Sequence, residues 1–255
     1  MSSNENHHAV EDAVSATDSA EMEKLSAAAL MEWAADRFGD SLVVTTSFGI
    51  QSAVTLRLAT QVLPNVRVIW VDTGYLPAET YRYAEQLRSL LKLNLHVYQS
   101  DMSPARMEAV HGRLWETGDV ADYQRYDDLR KVEPLQRAWR ELKPQAWVSG
   151  LRSEQTRLRQ SMQRVSFDGH RQKVLPILRW TSKDVYEFMR REQLPAHPLF
   201  ERGYKTVGDH HSSRPSMAFE TDSRATRFRG LKEECGIHLP ASPPLNSATL
   251  VQPTV

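Results

Sequence analysis

Short, continuous apolar runs alternate along the chain with longer stretches in which apolar residues recur every three or four positions. These runs predict a buried strand at residues 41–46 and further strands at 66–71, 93–98 and 146–149. The stretches between them predict helices at about 50–62, 77–92 and 134–142. Strands and helices that alternate at this spacing form a parallel sheet with helices on both faces. The pattern therefore predicts an α/β domain with a doubly wound, mostly parallel sheet.

Helix-terminus signals mark the elements on either side of this alternation. A helix that carries Leu25 and Phe38 among its apolar positions is predicted to end at Gly39, since glycine favours helix C-termini. Residues 165–176 predict an irregular hairpin. Thr181 begins a capping-box pattern, which predicts a helix to about residue 191.

Shifts in composition divide the chain into four predicted parts. Residues 1–22 contain acids but no Lys or Arg and predict a disordered tail, whereas residues 23–207 form the α/β domain. Residues 208–239 are a C-terminal segment rich in charge and histidine that carries the cysteine. Residues 240–255 contain several prolines and few charges and predict a disordered end.

Charge and hydropathy narrow the possible classes of protein. The formal net charge is zero, which argues against a general nucleic-acid or membrane binder. No run approaches the roughly 20 apolar residues of a membrane span, and no basic-apolar leader begins the chain. These features predict a soluble cytoplasmic protein. Of the 32 Lys and Arg residues 24 are Arg, which suits binding of phosphate or sulfate but also follows from a GC-rich genome.

Loops that follow strands hold the candidate binding residues, because ligands of doubly wound sheets bind at the carboxyl ends of the strands. The first loop offers Ser47, Phe48 and Gly49 before a helix, where backbone N–H groups can approach an anion. The second offers Asp72, Thr73 and Gly74. The third carries Arg152, with Arg157 and Arg159 just beyond. Ordinary tight turns, and for the third a solvated Arg-rich loop, remain alternatives.

The single cysteine, Cys235, limits the chemistry of the C-terminal segment. One thiol excludes an intrachain disulfide and any four-cysteine metal site. Its neighbours Glu233, Glu234 and His238 are polar, unlike the surroundings of a buried, inert cysteine, and nearby Arg residues would stabilise a thiolate. Because the two glutamates oppose this effect, activation is expected when the segment reaches the Arg-lined cleft. Asp209-His210-His211 could suggest a metal, but adjacent histidines point apart, and no metal site is predicted.

Seven motifs occur in one order: SFGIQSAV, DTGYL-x-x-ET, KVEPL, GLR-x-EQ, VLPI, GYKTVGDHHSSR and ECGIHL. Together they resemble the assimilatory phosphoadenylyl-sulfate reductase family over roughly residues 42–239. The resemblance implies an adenine nucleotide α-hydrolase-like fold, related to the ATP pyrophosphatases, in which residues 23–207 bind a nucleotide. Gln51 stands where those pyrophosphatases carry an Asp that helps to hold magnesium pyrophosphate.

The resemblance implies reduction of 3'-phosphoadenylyl sulfate to sulfite and adenosine 3',5'-bisphosphate, in sulfate assimilation toward cysteine. Cys235 would attack the sulfur and form an S-sulfonate, and the electrons would come from thioredoxin or glutaredoxin. Residues 208–239 would then be a mobile catalytic tail that alternates between covering the active site and presenting the sulfonated Cys235. His238 would be a base or a phosphate ligand, or a surface residue without a role. The implied cations for the phosphosulfate are Lys131, Arg152, Arg214, Arg224 and Arg227, and Arg157 or Arg159 would hold the 3'-phosphate. The family also implies a homodimer.

A departure from the sister family separates two substrates. Adenylyl-sulfate reductases carry a 4Fe–4S cluster on four cysteines, whose positions fall at Tyr126, Asp127, Asp209 and Ser212. No cysteine stands there, so the resemblance implies no bound cofactor and favours the 3'-phosphorylated substrate. The alternatives are a cluster-free adenylyl-sulfate reductase, an ATP pyrophosphatase or adenylyltransferase, and a nucleotide-sensing module without catalysis.

Overall fold

The computed structural model describes residues 20–217. The strands are β1 (Leu42–Thr46), β2 (Arg67–Val71), β3 (Asn94–Tyr98), β4 (Ala146–Val148), β5 (Val165–Phe167) and β6 (Gln172–Val174). The α-helices are α1 (Ala27–Phe38), α2 (Ser52–Val62), α3 (Ala78–Leu91), α4 (Pro104–His111), α5 (Val120–Asp127), α6 (Glu133–Leu142), α7 (Arg157–Gln160) and α8 (Ser182–Arg191). Most of the two predicted tails, residues 1–19 and 240–255, lies outside the described residues.

One sheet organises these elements, with the strand order β3-β2-β1-β4-β6-β5. All its neighbouring strands are parallel except β5, which pairs antiparallel with β6. The chain runs outward from β1 to β3 and then returns to the other side of β1 at β4. This reversal places the topological switch point, where ligands of such folds bind, between β1 and β4. The predicted doubly wound, mostly parallel α/β fold is confirmed.

The central strands are buried on both faces, which explains why they are continuously apolar in the sequence. Leu42 and Val44 of β1 pack into the large core with α1, α2 and α3. Val43, between them, points to the opposite face and packs with Leu135 and Ala138 of α6. Each of the buried Leu and Val side chains among these stabilises the fold by about 1.5–3 kcal/mol.

Two local predictions about helix ends hold in detail. Helix α1 is followed by Gly39 at φ 46°, in the left-handed half of backbone space that glycine adopts without strain. At α8, the Thr181 hydroxyl accepts a hydrogen bond from the Asp184 N–H, and the Asp184 carboxylate accepts one from the Thr181 N–H. This is the reciprocal capping box that the sequence predicts.

The region between β3 and β4 departs from the prediction, which placed a single helix at 134–142. The structure adds α4 and also α5, which continues without a break through a π-helical turn at Asp128–Val132 into α6. In this turn the Glu133 N–H donates to the Asp128 carbonyl, five residues back. The wider turn directs both Arg130 and Lys131 into the protein, where they are 2% and 7% exposed. Such π turns often occur at functional sites.

The described start of the C-terminal segment packs against the α/β domain. Asp209 is buried, and the His210 N–H donates to the Tyr75 carbonyl at 2.8 Å. Residues 208–217 therefore continue the surface of the domain at the carboxyl end of β2. Among residues 20–217, no helix combines the length and the apolar character needed to cross a bilayer.

Candidate active site

The loops after β1, β2 and β4 surround a cavity of about 240 Å³ at the switch point of the sheet. We call it the first cavity. Its wall includes Ser47 and Gly49 from the first loop, Thr73 from the second and Gly150 from the third. Lys131 from the π turn and Asp209 from the C-terminal segment complete it. Three separate loops predicted from the sequence thus meet at one site.

The β1–α2 loop turns its backbone, rather than its aromatic ring, toward the cavity. Phe48 adopts φ 47°, its N–H donates to the Thr46 hydroxyl at 3.1 Å, and its ring packs edge-on against Trp70 at 4.9 Å. The Ser52 hydroxyl donates to the Gly49 carbonyl at 2.8 Å and fixes the start of α2. The N-terminal end of α2 therefore borders the cavity, where its partial positive charge favours an anion. Of the three predicted residues, Phe48 can contribute only main-chain atoms, because its side chain belongs to the core.

The β2–α3 loop is held by a dense set of internal contacts. The Asp72 carboxylate accepts hydrogen bonds from the Gly74 N–H at 2.8 Å and the Tyr81 hydroxyl at 2.7 Å. Gly74 has φ 75°, and a Cβ there would lie 2.6 Å from Pro104 and 2.9 Å from the Arg130 guanidinium. Asp72 and Gly74 therefore shape the loop, and Thr73 is the residue of the predicted three that lines the first cavity.

Lys131 lies between two buried carboxylates at the cavity wall. Its Nζ is 2.9 Å from Asp127 Oδ1 and 2.9 Å from Asp209 Oδ2, and both aspartate side chains are 1% exposed. The Thr73 hydroxyl donates to Asp209 Oδ1 at 2.5 Å. Burial opposes ionisation of Asp209, but the charges of Lys131 and His211 outweigh it and hold the pKa of Asp209 below its usual range. The group is thus an ion triad, which we call the lysine triad (Asp127, Lys131 and Asp209).

Aromatic rings lie beside the lysine triad. Lys131 Nζ lies 5.1 Å from the centroid of the Tyr126 ring, and His211 stacks on Trp115 with ring centroids 4.1 Å apart. Burial raises the pKa of Tyr126 well above its ordinary value, so its hydroxyl stays neutral. Asp127 and Asp209, two of the four positions matched to cluster cysteines, thus contact the same ammonium. Among residues 20–217, no group of three or more His, Cys, Asp or Glu side chains is arranged to hold a metal ion.

Arg152 faces away from the first cavity. Its Nε donates to Gln51 Oε1 at 2.8 Å, its Nη1 donates to the Trp180 carbonyl at 3.2 Å, and it pairs with Glu154. It lines a second cavity of about 920 Å³, which extends toward α8. Arg152 thus supports the Gln51 end of the first loop.

The remaining predicted cations fall at different places. Arg159 is buried and lines the first cavity, whereas Arg157 is exposed and lines the second. Arg214 is half-buried, and one of its contacts is to the Pro215 carbonyl at 3.1 Å. Predictions for four further residues lie outside the described residues and stay predictions: Arg224, Arg227, Cys235 and His238.

Several polar residues of the site were given no role in substrate binding from the sequence. Lys205 borders both cavities, Asp209 holds Lys131, and Arg130 donates to the carbonyls of Thr73 and Met102. The available signal was the position of Arg130 beside Lys131, and of Lys205 and Asp209 within the motif GYKTVGDHHSSR. Their roles depend on the π turn and on the fold of residues 199–212, which periodicity does not reveal.

Comparison with known proteins identifies the family of this chain. The family model for the phosphoadenosine phosphosulfate reductase domain matches residues 41–215. A phosphoadenosine 5'-phosphosulfate reductase of Synechocystis sp. is 57% identical over 223 residues, which cover 88% of this chain and 90% of that protein. This chain belongs to the phosphoadenosine phosphosulfate reductase family. It is therefore an oxidoreductase that acts on a sulfur group, and the predicted family is confirmed.

A further reductase sequence and a solved reductase structure support this family, and a more distant solved structure shares the fold. A phosphoadenosine 5'-phosphosulfate reductase of Salmonella newport is 45% identical over 226 residues, covering 88% of this chain and 91% of that protein. The crystal structure of a phosphoadenylyl-sulfate reductase from Candida auris, a phosphate complex, superposes with a TM-score of 0.67 at 27% identity, covering 78% and 98% of the two chains. An FMN adenylyltransferase of Candida glabrata, at 11% identity and a TM-score of 0.55, covering 88% and 82%, shares the fold alone.

Proposed function

We propose that this enzyme reduces 3'-phosphoadenylyl sulfate to sulfite and adenosine 3',5'-bisphosphate, with Cys235 as nucleophile and thioredoxin or glutaredoxin as electron donor. The observation that carries the proposal is the first cavity, where a helix N-terminus and the Lys131 ammonium border one space at the switch point. A phosphosulfate is an anion of two linked tetrahedral groups, and this combination of donors suits it. Family membership supports the same substrate.

In the proposed complex the phosphosulfate lies along residues 47–49, and Lys131 contacts it from the wall of the cavity. Fixed donors on the phosphate stabilise the charge that develops on the leaving bisphosphate. Arg159 takes the 3'-phosphate, because it lines the same cavity as Lys131 whereas Arg157 lines the second. This extra cation would favour the 3'-phosphorylated nucleotide over adenylyl sulfate.

The first chemical step is attack by the Cys235 thiolate on the sulfur of the sulfuryl group. The new S–S bond forms as the bond between sulfur and the bridging oxygen breaks, and adenosine 3',5'-bisphosphate leaves with that electron pair. The product is a Cys235 S-sulfonate. Residues 208–239 would bring Cys235 to the cavity, and their first part already borders it through Asp209. His238, three residues beyond the thiol, would assist as a base or a phosphate ligand.

The second step needs a thiol that this chain does not contain, because its only cysteine carries the sulfonate. A thiolate of an external dithiol protein attacks the Cys235 sulfur, and sulfite leaves with the electrons of the S–S bond. The second thiol of the donor then releases reduced Cys235, so the donor supplies two electrons and becomes a disulfide. Neither step uses an iron–sulfur cluster. The proposal includes a cytoplasmic site of action, where such donors are kept reduced, and a homodimer.

Intact-protein mass spectrometry tests the proposal directly. Reduced enzyme mixed with 3'-phosphoadenylyl sulfate, without a reductant, should gain the mass of one SO₃. Reduced thioredoxin should remove the adduct and release sulfite. The Cys235→Ser variant should bind adenosine 3',5'-bisphosphate with unchanged affinity and form no adduct. An adduct on the Ser variant, or sulfite release by it, would overturn the assignment of the nucleophile.

A further inference from the structure

Lys131 is fixed from two independent directions. Asp127 approaches from one helical turn earlier, in α5, and Asp209 approaches from the C-terminal segment. A lysine side chain has a long flexible stem, and holding its ammonium in one place costs conformational entropy. Two carboxylates, each 2.9 Å from Nζ, restrict the ammonium to a small region of the cavity wall.

The carboxylate from the C-terminal segment is itself fixed by neighbouring loops. Thr73 donates its hydroxyl to Asp209 Oδ1, and the Ser212 N–H donates to the Asp209 carbonyl at 3.0 Å. The neighbouring His210 N–H donates to the Tyr75 carbonyl at 2.8 Å. The position of Lys131 is therefore tied to the β2–α3 loop, which forms part of the same cavity.

The net charge of the lysine triad indicates that the two carboxylates position the Lys131 ammonium and do not strengthen the attraction of an anion. Two buried carboxylates oppose one ammonium, so the lysine triad adds no net positive charge to a cavity that would receive an anion. Burying carboxylates is costly, and a lysine alone would attract a phosphosulfate more strongly. The carboxylates therefore weaken general attraction while they hold the ammonium still.

The geometry points to Asp127 and Asp209 as positioning residues that act through Lys131. They hold its ammonium where it meets the phosphosulfate whose S–O bond breaks, and their effect lies on the rate of that cleavage rather than on substrate affinity. This inference rests on the proposed function and deepens it. It separates two roles of charge at one site, since the ammonium would contact the substrate and the two carboxylates would act through the ammonium that both contact.

Single-turnover kinetics on the full chain test this inference. With enzyme in excess, the formation of adenosine 3',5'-bisphosphate from 3'-phosphoadenylyl sulfate reports bond cleavage without any electron donor. Asp209→Asn and Asp127→Asn should each slow this step about 10- to 100-fold, the cost of a reacting group displaced by about 1 Å. The enzyme concentration that gives half the maximal single-turnover rate should stay the same or fall, since the ammonium remains and a negative charge is lost. Asp128→Asn, which removes a neighbouring carboxylate that accepts from Gln124, should match the parent enzyme.

A double-mutant cycle separates positioning from a merely structural role. In the Lys131→Met background, Asp209→Asn should cause no further loss of rate, because the residue through which it acts is already gone. If Lys131→Met does not fold, as judged by circular dichroism, Lys131→Arg supplies a background that keeps the buried charge but misplaces its donors. Losses that multiply in the double variant, or a parent-like rate for Asp209→Asn, would overturn the inference. A parent enzyme that never cleaves 3'-phosphoadenylyl sulfate would instead overturn the proposed function.

Discussion

Lys131 and Arg152 are both cations that the sequence assigns to one anion, yet the fold places them in different environments. Lys131 borders the first cavity and is held by two carboxylates. Arg152 borders the second cavity, and its guanidinium contacts Gln51, Glu154 and the Trp180 carbonyl. The contrast shows that a cation near the carboxyl edge of the sheet can contact the ligand or can instead hold a loop that contacts the ligand. The partners of the cation distinguish the two roles.

The largest expected effect separates the two cations by rate. Lys131→Met should slow single-turnover cleavage of 3'-phosphoadenylyl sulfate about 100- to 1000-fold, the loss typical when one fixed donor to a developing charge is removed. Arg152→Met should slow it much less, because Arg152 acts on the first loop through Gln51. Both variants need urea unfolding curves alongside the rates. Equal rates for the two variants, at equal folded fractions, would remove the distinction.

The next effect concerns the two arginines considered for the 3'-phosphate. Arg159→Gln should weaken binding of adenosine 3',5'-bisphosphate about 10- to 100-fold, the equivalent of one lost charged hydrogen bond, and leave adenosine 5'-phosphate nearly unaffected. The matched Arg157→Gln variant should preserve the preference for the bisphosphate. Isothermal calorimetry with both nucleotides measures this selectivity. Loss of selectivity in Arg157→Gln alone would move the 3'-phosphate to the second cavity.

Low pH should reduce the stability contributed by the carboxylate beside Lys131 more than that contributed by the carboxylate beside Arg152. Because the pKa of Asp209 is depressed in the folded protein, its ionised form stabilises the fold above the unfolded pKa of about 4. This contribution, roughly 2 kcal/mol for charged hydrogen bonds, shrinks as the pH falls from 4 toward the folded pKa. The difference in unfolding free energy between the parent and Asp209→Asn should therefore be constant from pH 7 to 5 and shrink below 4.

Glu154 provides the matched case beside Arg152. Burial opposes its ionisation, but hydrogen bonds from Ser182 and Arg152 lower the pKa of Glu154, and its side chain is 40% exposed. Solvent screening should make the corresponding pH dependence of Glu154→Gln smaller. Urea unfolding at four pH values compares the two pairs of proteins. A larger acid effect at Glu154 would contradict the ranking.

The smallest effect concerns the partner of Arg152. Gln51→Glu should keep the contact to Arg152, now as an ion pair, so the unfolding free energy should change by less than about 1 kcal/mol. The added negative charge at the wall of the first cavity should weaken binding of adenosine 3',5'-bisphosphate several-fold and more strongly at low salt. Calorimetry at two ionic strengths measures this. Unchanged binding at both ionic strengths would indicate that the phosphates lie away from Gln51.

The apolar pattern predicted strands β1, β2, β3 and β4, but between β3 and β4 it predicted only helix α6 and neither α4 nor α5. Strands β1, β2 and β4 coincide with continuous apolar runs, because central parallel strands buried on both faces have no polar face to interrupt the run. Strand β3 lies at the edge of the sheet, is only partly buried and includes Asn94 and His96. Helix α4 buries Met107 as its only fully buried residue and so has almost no apolar period. The sequence predicts a helix only at 134–142, whereas the π turn joins α6 to α5 without a break.

Part of the candidate site also follows from sequence. The three loops border one cavity because the carboxyl ends of parallel strands share one edge of the sheet, whereas Lys131, implied by the family resemblance, borders it from the π turn. Periodicity cannot show that the Phe48 ring enters the core or that Arg152 turns toward the second cavity. Both outcomes depend on single backbone or side-chain torsions in loops, and the buried partners that select those torsions come from distant parts of the chain.

A crystal structure with adenosine 3',5'-bisphosphate bound is the most direct test of the claim that the first cavity is the substrate site. The account predicts that the 5'-phosphate lies on residues 47–51 within hydrogen-bonding distance of Lys131, and that the 3'-phosphate contacts Arg159. Arg152 should keep its bond to Gln51. A nucleotide in the second cavity, with a phosphate on Arg152 or Arg157, would contradict the account.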